Sequence, residues 1–328
     1  MKLSRRQFLH RATVAAALPA VPKIAGAQAA YPTRNVRVIV PFAPGGQSDV
    51  VARLVAQKLS ERLGQQFYVE NAAGAGSSIG TGRAAQSPPD GYTILFVDGI
   101  AHVANPVILP KVPYDPNTDF EAVAIAATTM QVLSVNPSVP AKNLQELVAL
   151  IKANPGKYNY ASAGTGTGAH LTGELFRSAL KLDMVHVPYG GGGPAIAATV
   201  AGHTPICFGS AAATIPQHKD GKLRALAAGG KNRLKSLPDI PTISESGYKD
   251  VECDAVVGVL APAKTPKEIV ALLNREIAAA VATPEIQQRL TALGFETAKA
   301  TPEELTAYLK ADGERWAKIV RASGIKPN

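Results

Sequence analysis

The amino-acid sequence predicts an α/β fold in which mainly parallel sheets are covered by helices. Short β-rich segments alternate with segments of helical periodicity, and this alternation occurs in two separate blocks of the chain. Because parallel strands need long crossover connections, the alternation favours sheets with helices packed on their faces. The roughly 300 residues that follow the N-terminal segment are enough for two domains.

The first block contains three predicted strands and one strongly periodic helix. The strands are expected at 36–42, 66–70 and 92–97. The helix is expected at 49–63, where apolar residues recur every three to four positions. Gly64 is placed to end that helix.

The second block begins with a long β-like run at 120–135. Its other predicted elements are strands at 157–161, 184–187, 205–208 and 223–228, and helices at 143–153, 168–180, 194–201 and 212–220. The last third of the chain is predicted to be helical, at 266–282, 284–293 and 302–323.

Two β segments, 122–135 and 223–228, are candidates for crossing between domains. We expect the chain to leave the first domain near Thr128 and to return near Ala227. The first lobe would then be discontinuous, 30–128 plus 227–328, and the second lobe would be 129–226.

The first 29 residues have the layout of an export signal. Arg5 and Arg6 precede an apolar run at 12–20 and small residues that offer cleavage after Ala27 or Ala29. The paired arginines indicate the twin-arginine route. The apolar run is shorter than the roughly 20 residues of a membrane span. We therefore expect the signal peptide to be removed and the mature protein to be periplasmic.

Charge and cysteine content exclude several function classes. The whole chain carries a net charge of +9, and removal of the five basic residues of the signal leaves +4, without a basic stripe, so no nucleic-acid partner is expected. Cys207 and Cys253 could pair in an oxidising compartment, but two buried thiols are the favoured interpretation. The sequence lacks metal-ligand spacing, so neither a metal nor a cofactor is expected.

Three glycine-rich loops lie between a predicted strand and a predicted helix. The first contains Pro44, Gly45 and Gly46. Glycine lets a backbone approach a ligand closely, and the start of the next helix offers free N–H groups and a positive dipole end. The loop therefore indicates an anion site. The alternative is an ordinary strand–helix turn capped by Ser48 or Asp49.

The other two loops follow the same pattern. The second, at 160–171, adds threonine hydroxyls but lacks the Lys-Ser/Thr ending of a phosphate loop, and a structural role for its His170 is the alternative to ligand binding. The third, at 186–194, contains four consecutive glycines. Weaker candidates are 97–102 and 208–210. All five segments follow strands, where ligands bind in open α/β sheets.

Motifs of common enzyme classes are missing from the sequence. It contains neither the G-x-S-x-G turn of α/β-hydrolases nor an H-E-x-x-H metal motif. The loops are rich in backbone donors and poor in titratable pairs. This composition favours anion binding over proton transfer or nucleophilic catalysis.

These loops, in this order, resemble the extracytoplasmic solute-binding receptors of tripartite tricarboxylate transporters, also called Bug receptors. The similarity covers nearly the whole chain after the signal. Its main motifs are V-R-V-I-V-P-F-A-P-G-G-Q-S-D at 36–49, Y-A-S-A-G-T-G-T-G-A-H-L-T-G-E-L-F at 160–176 and H-V-P-Y-G-G-G-G-P-A at 186–195. Gly209 stands where many relatives carry an acidic residue, which argues against acidic amino acids as ligands.

The resemblance implies a type II periplasmic binding protein fold, in which two α/β lobes close on a ligand held in the cleft between them. It also implies that the first two loops grip a carboxylate and that the 99–102 segment, Tyr189 and Ser210 meet its distal end. The expected ligand-binding residues are Pro44, Gly45, Gly46, Asp49, Gly99, His102, Ala163, Gly164, Thr165, His170, Tyr189, Gly190 and Ser210.

The function implied by the resemblance is that of a monomeric receptor without catalytic residues. It would capture a di- or tricarboxylic or aromatic acid and deliver it to the membrane subunits of a tripartite tricarboxylate transporter. Two alternatives are a ligand-loaded partner of a membrane sensor and an exported enzyme on the same fold.

Overall fold

The computed structural model describes residues 31–249, 251–298 and 300–323. The predicted export signal at 1–29 lies outside these residues. Within the described ranges, no helix is long and apolar enough to cross a membrane.

Nine strands of the described residues form one hydrogen-bonded sheet path, in the order β2-β1-β3-β9-β4-β7-β5-β6, with β8 paired to β4. The strands are β1 (Val36–Val40), β2 (Phe67–Asn71), β3 (Thr93–Asp98), β4 (Phe120–Val135), β5 (Tyr158–Ser162), β6 (Met184–Pro188), β7 (Ile206–Ser210), β8 (Arg224–Ala228) and β9 (Asp254–Pro262).

Helices cover the sheet and connect most of its strands. They are α1 (Gln47–Leu63), α2 (Ser78–Ala85), α3 (Gly99–Ile108), α4 (Leu144–Ala153), α5 (Gly168–Ala179), α6 (Gly192–Val200), α7 (Ala211–Lys219), α8 (Lys267–Val281), α9 (Pro284–Ala292) and α10 (Pro302–Ser323). Gly64 ends α1 in the left-handed conformation, as predicted.

Strand β4 joins two half-sheets. Its first part, 120–130, pairs antiparallel with β9, whereas 131–135 pairs antiparallel with β7 on one side and, over 132–135, with β8 on the other. In the first half-sheet β1 is parallel to β2 and β3, and in the second β5 is parallel to β6 and β7. The predicted parallel, helix-covered sheets are therefore present on both sides of this strand.

The prediction of an entirely helical last third is wrong, because β9 lies within it. All residues of β9 except Asp254 are buried, so the strand has no polar face and no alternation of apolar and polar residues. A short apolar run of this kind cannot be distinguished from a buried helical segment by periodicity. The 97–102 segment, a weaker site candidate, comprises the end of β3 and the first turn of α3.

Each half-sheet packs against its own apolar cluster. On the first, α10 contributes Trp316, which is fully buried in the same cluster as Leu95 and Val97. On the second, Phe208 meets Tyr160 edge-on at 5.4 Å between ring centroids. Cys207 and Cys253 are free and buried, which confirms the two-thiol interpretation.

Five helices begin directly beyond the carboxyl ends of strands. They are α1 after β1, α3 after β3, α5 after β5, α6 after β6 and α7 after β7. Because these strands belong to both half-sheets, the five helix N-termini all lie at the strand edge where ligands bind in α/β proteins.

Three buried histidines make the fold sensitive to acid. Burial lowers the pKa of His102 and His170 to about 4 and that of His186 to about 3, from 6.5. As the pH falls below 6.5, these histidines bind protons in the unfolded chain but stay neutral in the folded chain. The free energy of unfolding is therefore unaffected by them above pH 6.5 and decreases as the pH falls towards their folded-state pKa values. Burial raises the pKa of Asp98 from 3.8 to about 6, so its contribution to stability falls as the pH rises from about 3.8 to about 6 and offsets part of the histidine effect.

We predict that the melting temperature falls between pH 6.5 and pH 4, and that H102F reduces this fall. Phenylalanine keeps the ring that packs on Tyr114 but cannot bind a proton, which removes up to about 1.4 kcal/mol per pH unit from the slope. Circular dichroism melts across this range measure the effect. The matched control is H203Q at an exposed histidine, and an H102F slope equal to that of the control would contradict the prediction.

Candidate functional site

A small cavity of about 20 Å³ lies at the carboxyl ends of strands from both half-sheets, which is room for about one water molecule. Its lining residues are Phe42, Gly46, Gln47, Ser48, Asp98, Gln131, Ala163, Ala169, Gly192 and Ser210. None of these is a lysine, arginine or histidine. We call this space the inner cavity.

A second space of about 370 Å³, the outer cavity, adjoins it and shares Phe42 and Ala163 with the inner cavity. The predicted site residues Gly164, Thr165, Tyr189 and Gly190 line it. Of the predicted residues, Gly46, Ala163 and Ser210 line the inner cavity. The structure thus brings seven of the thirteen together around two neighbouring spaces.

Three helix N-termini at the inner cavity carry no side-chain cap. They are those of α1, α6 and α7, whose N-cap residues are Gly46, Gly191 and Ser210. The first-turn N–H groups of a helix have no partner within the helix, and each N-terminus carries a partial positive charge. Three such ends on one cavity create an anion site without any cationic side chain.

Unpaired polar atoms also mark the inner cavity. Ser48 Oγ, Ser210 Oγ and Gln131 Oε1 are buried and have no hydrogen-bond partner within the described part of the chain. An unpaired buried polar group costs roughly 1–3 kcal/mol. Three of them on one small cavity indicate where a polar ligand forms hydrogen bonds.

The alternative that Ser48 or Asp49 caps α1 is wrong, because α1 begins two residues earlier with Gly46 as its N-cap. Asp49 is engaged elsewhere. Its carboxylate accepts hydrogen bonds from Gly45 N, Arg53 and Asn71. Although burial acts to raise its pKa, these bonds hold the pKa below its usual range. Asp49 therefore fixes the first loop and does not line either cavity.

The first and third loops are in direct contact, and glycine is needed there. Ala43 N donates to Gly190 O at 2.9 Å. A Cβ on Gly46 would lie 3.3 Å from Gly192 N, and one on Gly193 would collide with Pro44 O. Pro44 and Gly45 therefore form the contact between the loops, beside the cavities.

Two buried histidines support the second loop through hydrogen bonds. Gly166 N donates to His170 Nδ1 at 3.1 Å, and the His170 ring stacks on that of His186 at 4.1 Å. His186 Nε2 lies 2.6 Å from Ser162 Oγ, which accepts from Gly164 N. Because Nδ1 accepts a hydrogen bond it carries no proton, consistent with the pKa of about 4 that burial produces. His170 thus supports the loop and does not line either cavity.

The Ser162–His186 pair has the spacing of a nucleophile and its base. However, Ser162 is fully buried and lines neither cavity, and its hydroxyl is engaged by the Gly164 backbone. A ligand in either cavity would not meet it. The geometry therefore assigns this pair to loop support.

The remaining two predicted residues lie away from both cavities. The His102 ring is fully buried, stacked on Tyr114 at 5.4 Å and edge-on to Phe120 at 5.1 Å. Gly99 faces Val256, which a Cβ would approach to 2.5 Å. The segment reaches the inner cavity through Asp98 instead.

Seven of the lining residues of the inner cavity were not predicted from the sequence. They are Phe42, Gln47, Ser48, Asp98, Gln131, Ala169 and Gly192. Phe42, Gln47, Ser48, Ala169 and Gly192 lie inside the glycine-rich motifs, so a wider reading of each loop would have included them. Gln131 carries no local signal, because only the pairing of β4 brings it to the site.

A family model matches most of the chain. Residues 51–325 match the model described as the tripartite tricarboxylate transporter family receptor. The chain is also 35% identical over 297 residues to the protein BugT of Bordetella pertussis. This alignment covers 90% of this chain and 91% of BugT.

Solved structures share the fold closely. The periplasmic binding protein BugD has a TM-score of 0.88 at 34% identity, over 91% of this chain and 100% of BugD. Rpa4515 of R. palustris, solved with adipate, has a TM-score of 0.88 at 32% identity, over 91% of this chain and 100% of that one. MatC of Rhodopseudomonas palustris, solved with bound malate, has a TM-score of 0.85 at 32% identity, over 88% and 100%.

These matches confirm the expected two-lobe periplasmic binding protein fold and the resemblance to the Bug receptors. The chain belongs to the family of tripartite tricarboxylate transporter receptors.

Proposed function

We propose that this protein is a periplasmic receptor that binds a small carboxylate at the inner cavity, which widens to admit the ligand, and delivers it to the membrane subunits of a tripartite tricarboxylate transporter. The ligand would be held between a lobe formed by 30–128 plus 227–328 and a lobe formed by 129–226. It would act by binding alone, without chemical change to the ligand.

The convergence of three uncapped helix N-termini carries this proposal. A carboxylate beside Gly46, Gly192 and Ser210 would accept from the first-turn N–H groups of α1, α6 and α7 and from the unpaired hydroxyls of Ser48 and Ser210. Hydrogen bonds to a charged group contribute roughly 1.5–3 kcal/mol each. Such a site needs no lysine or arginine.

Relatives support the class of ligand. The structures of Rpa4515 with adipate and of MatC with malate each hold a dicarboxylate. Both share the fold over the full length of the solved chain. A carboxylate is therefore the first class of ligand to test here.

Calorimetric titration tests the proposal directly. We expect at least one acid from a panel of succinate, malate, adipate, citrate and benzoate to bind, and the same acid to raise the melting temperature by mass action. The matched control is the corresponding amide or methyl ester, which lacks the anionic group and should not bind. A folded protein that binds none of these acids, or that binds ester and acid equally, would argue against the proposal.

We predict that G193A weakens carboxylate binding by about ten-fold or more while the ligand-free protein keeps its fold. The added Cβ collides with Pro44 O, so the third loop must move away from the first, at a cost of roughly 1–3 kcal/mol. Titration of the best-binding acid measures the effect. G190A is the control in the same loop, since its Cβ would have no atom within 4 Å. Equal affinities for the two variants would contradict the prediction.

A further inference from the structure

Residues 293–297, between α9 and α10, lie against β4 next to the point where it passes from the first half-sheet to the second. Thr128 N donates to Glu296 O at 2.8 Å, and Glu296 N donates back to Thr128 O at 2.9 Å. Thr129 Oγ1 donates to Gly294 O at 3.3 Å. We call this segment the strap, because its backbone is bound to β4 beside the junction of the half-sheets.

The strap is anchored on the side of the first half-sheet. Its Phe295 is fully buried. Just beyond it, Ala300 O accepts from Asn274 Nδ2 of α8 at 3.0 Å, and the same amide donates to Val123 O of β4 at 2.7 Å. Helix α10, which follows the strap, packs through Trp316 in the apolar cluster of the first half-sheet. The strap therefore moves with that half-sheet.

Gly294 brings the strap into close contact with the second half-sheet. A Cβ on Gly294 would stand 2.7 Å from Ala211 Cβ and 2.8 Å from Ile215 Cδ1, both on α7. It would also stand 3.2 Å from Leu234 Cδ2. These three side chains share one apolar cluster with residues of β4 and β8. The left-handed φ of +78° at Gly294 turns the strap against this cluster.

A cavity of about 410 Å³ lies beside this contact. Strap residues 294–297 form part of its lining, and the 232–235 segment, which packs on the second half-sheet through Leu234, forms another part. Lys235 Nζ lies 3.1 Å from Glu296 Oε1, but both side chains are exposed and such ion pairs contribute little. The space lets the two sides move relative to each other, so the close packing at Gly294 is what resists this movement.

The same relative position of the half-sheets brings the first and third loops together. The first loop follows β1 and the third follows β6, and they meet where Ala43 N donates to Gly190 O. A rotation of one half-sheet against the other would part these loops, because each loop is fixed to a strand of a different half-sheet.

We propose that the strap fixes the angle between the half-sheets at which the glycine loops meet, and thereby sets carboxylate affinity from outside both cavities. The first part concerns the ligand-free chain alone. The second part rests on the proposed function. If the conformation with the loops in contact is the one that binds, the apparent Kd rises as the population of that conformation falls.

Distances between two spin labels test the first part in the ligand-free protein. Q57C on α1 and K152C on α4 place one label at an exposed position on each half-sheet. The native Cys207 and Cys253 are buried, and the chain without the two new cysteines, treated with the same label, corrects for any reaction of these thiols. Electron–electron double resonance then gives the distribution of distances between the half-sheets.

G294A tests the strap contact in this labelled chain. The added Cβ collides with Ala211 and Ile215, so the strap must leave α7. We expect the distance distribution to broaden or to gain a second population. G221A is the matched control, because Gly221 has a similar φ of +70° but no atom within 4 Å of an added Cβ. It carries the same backbone strain without the contact and should keep the wild-type distribution.

Titration of the same two substitutions without labels tests the second part. The probes are succinate, malate, adipate, citrate and benzoate. We expect G294A to bind each acid that the wild-type protein binds about three-fold or more weakly, as the conformation with the loops in contact becomes less populated. G221A should bind these acids as the wild-type protein does.

Each part has a result that would overturn it. A folded G294A variant with the distance distribution of G221A would overturn the role of the strap. A changed distribution with unchanged acid affinity would overturn the second part alone. Binding of none of the five acids to the wild-type protein would overturn the proposed function and with it the second part, whereas the distance distribution would still decide the first.

Should G294A fail to fold, T129V decides by the same criteria. Valine keeps the shape of Thr129 but removes the hydroxyl that donates to Gly294 O. T265V is the control, because Thr265 is an equally buried threonine whose hydroxyl donates to a backbone carbonyl, that of Pro262, away from the strap.

Discussion

The antiparallel pairing of β4 with partners in both half-sheets is the constraint on which the site depends. Residues 120–130 belong to the first half-sheet and 131–135 to the second. This one strand therefore sets the position of β7 relative to β9, and through them the positions of the helices that follow β1, β3, β5, β6 and β7. Five helix N-termini meet at a common edge because their strands are bound to one shared element.

Electrostatics at that edge come mainly from the backbone. The N-termini of α1, α6 and α7 are uncapped, so their partial positive charge is available to a ligand. The other two N-termini, those of α3 and α5, donate to the Asp98 carboxylate, whose negative charge offsets their partial positive charge. Burial acts on this carboxyl strongly enough to raise its pKa to about 6. Asp98 is the one ionisable side chain among the residues that line the inner cavity.

Glycine has a separate mechanical role at this edge. Gly46 and Gly193 allow the first and third loops to meet backbone to backbone. Gly164 and Gly166 have left-handed backbone conformations that let the second loop turn against Tyr189 and Asn105. The histidines behind this loop, His170 and His186, hold the turn in place. Close approach of the loops is what encloses the inner cavity.

Much of this arrangement could be predicted from local sequence signals, and the rest depends on pairing at a distance. The helices that begin after glycine loops were predicted to within a few residues because periodicity and glycine ends are local. Strand β9 was missed because it is buried on both faces, so its sequence lacks the alternation of apolar and polar residues that marks a half-exposed strand. His102 and His170 were predicted to bind ligand, yet each is buried and lines neither cavity. A histidine in a sequence motif does not show in which direction its side chain points. Asp98 lies in the 97–102 segment that the sequence marked as a weaker candidate, whereas Gln131 reaches the site through strand register, which the sequence does not display.

A crystal structure with malate bound would test the central claim most directly, namely that backbone N–H groups of three helices hold the carboxylate. We predict a carboxylate in the inner cavity with its oxygens about 2.7–3.2 Å from first-turn N–H groups near Gly46, Gly192 or Ser210, and from Ser48 Oγ or Ser210 Oγ. A malate bound instead by lysine or arginine side chains outside this cavity would contradict the account.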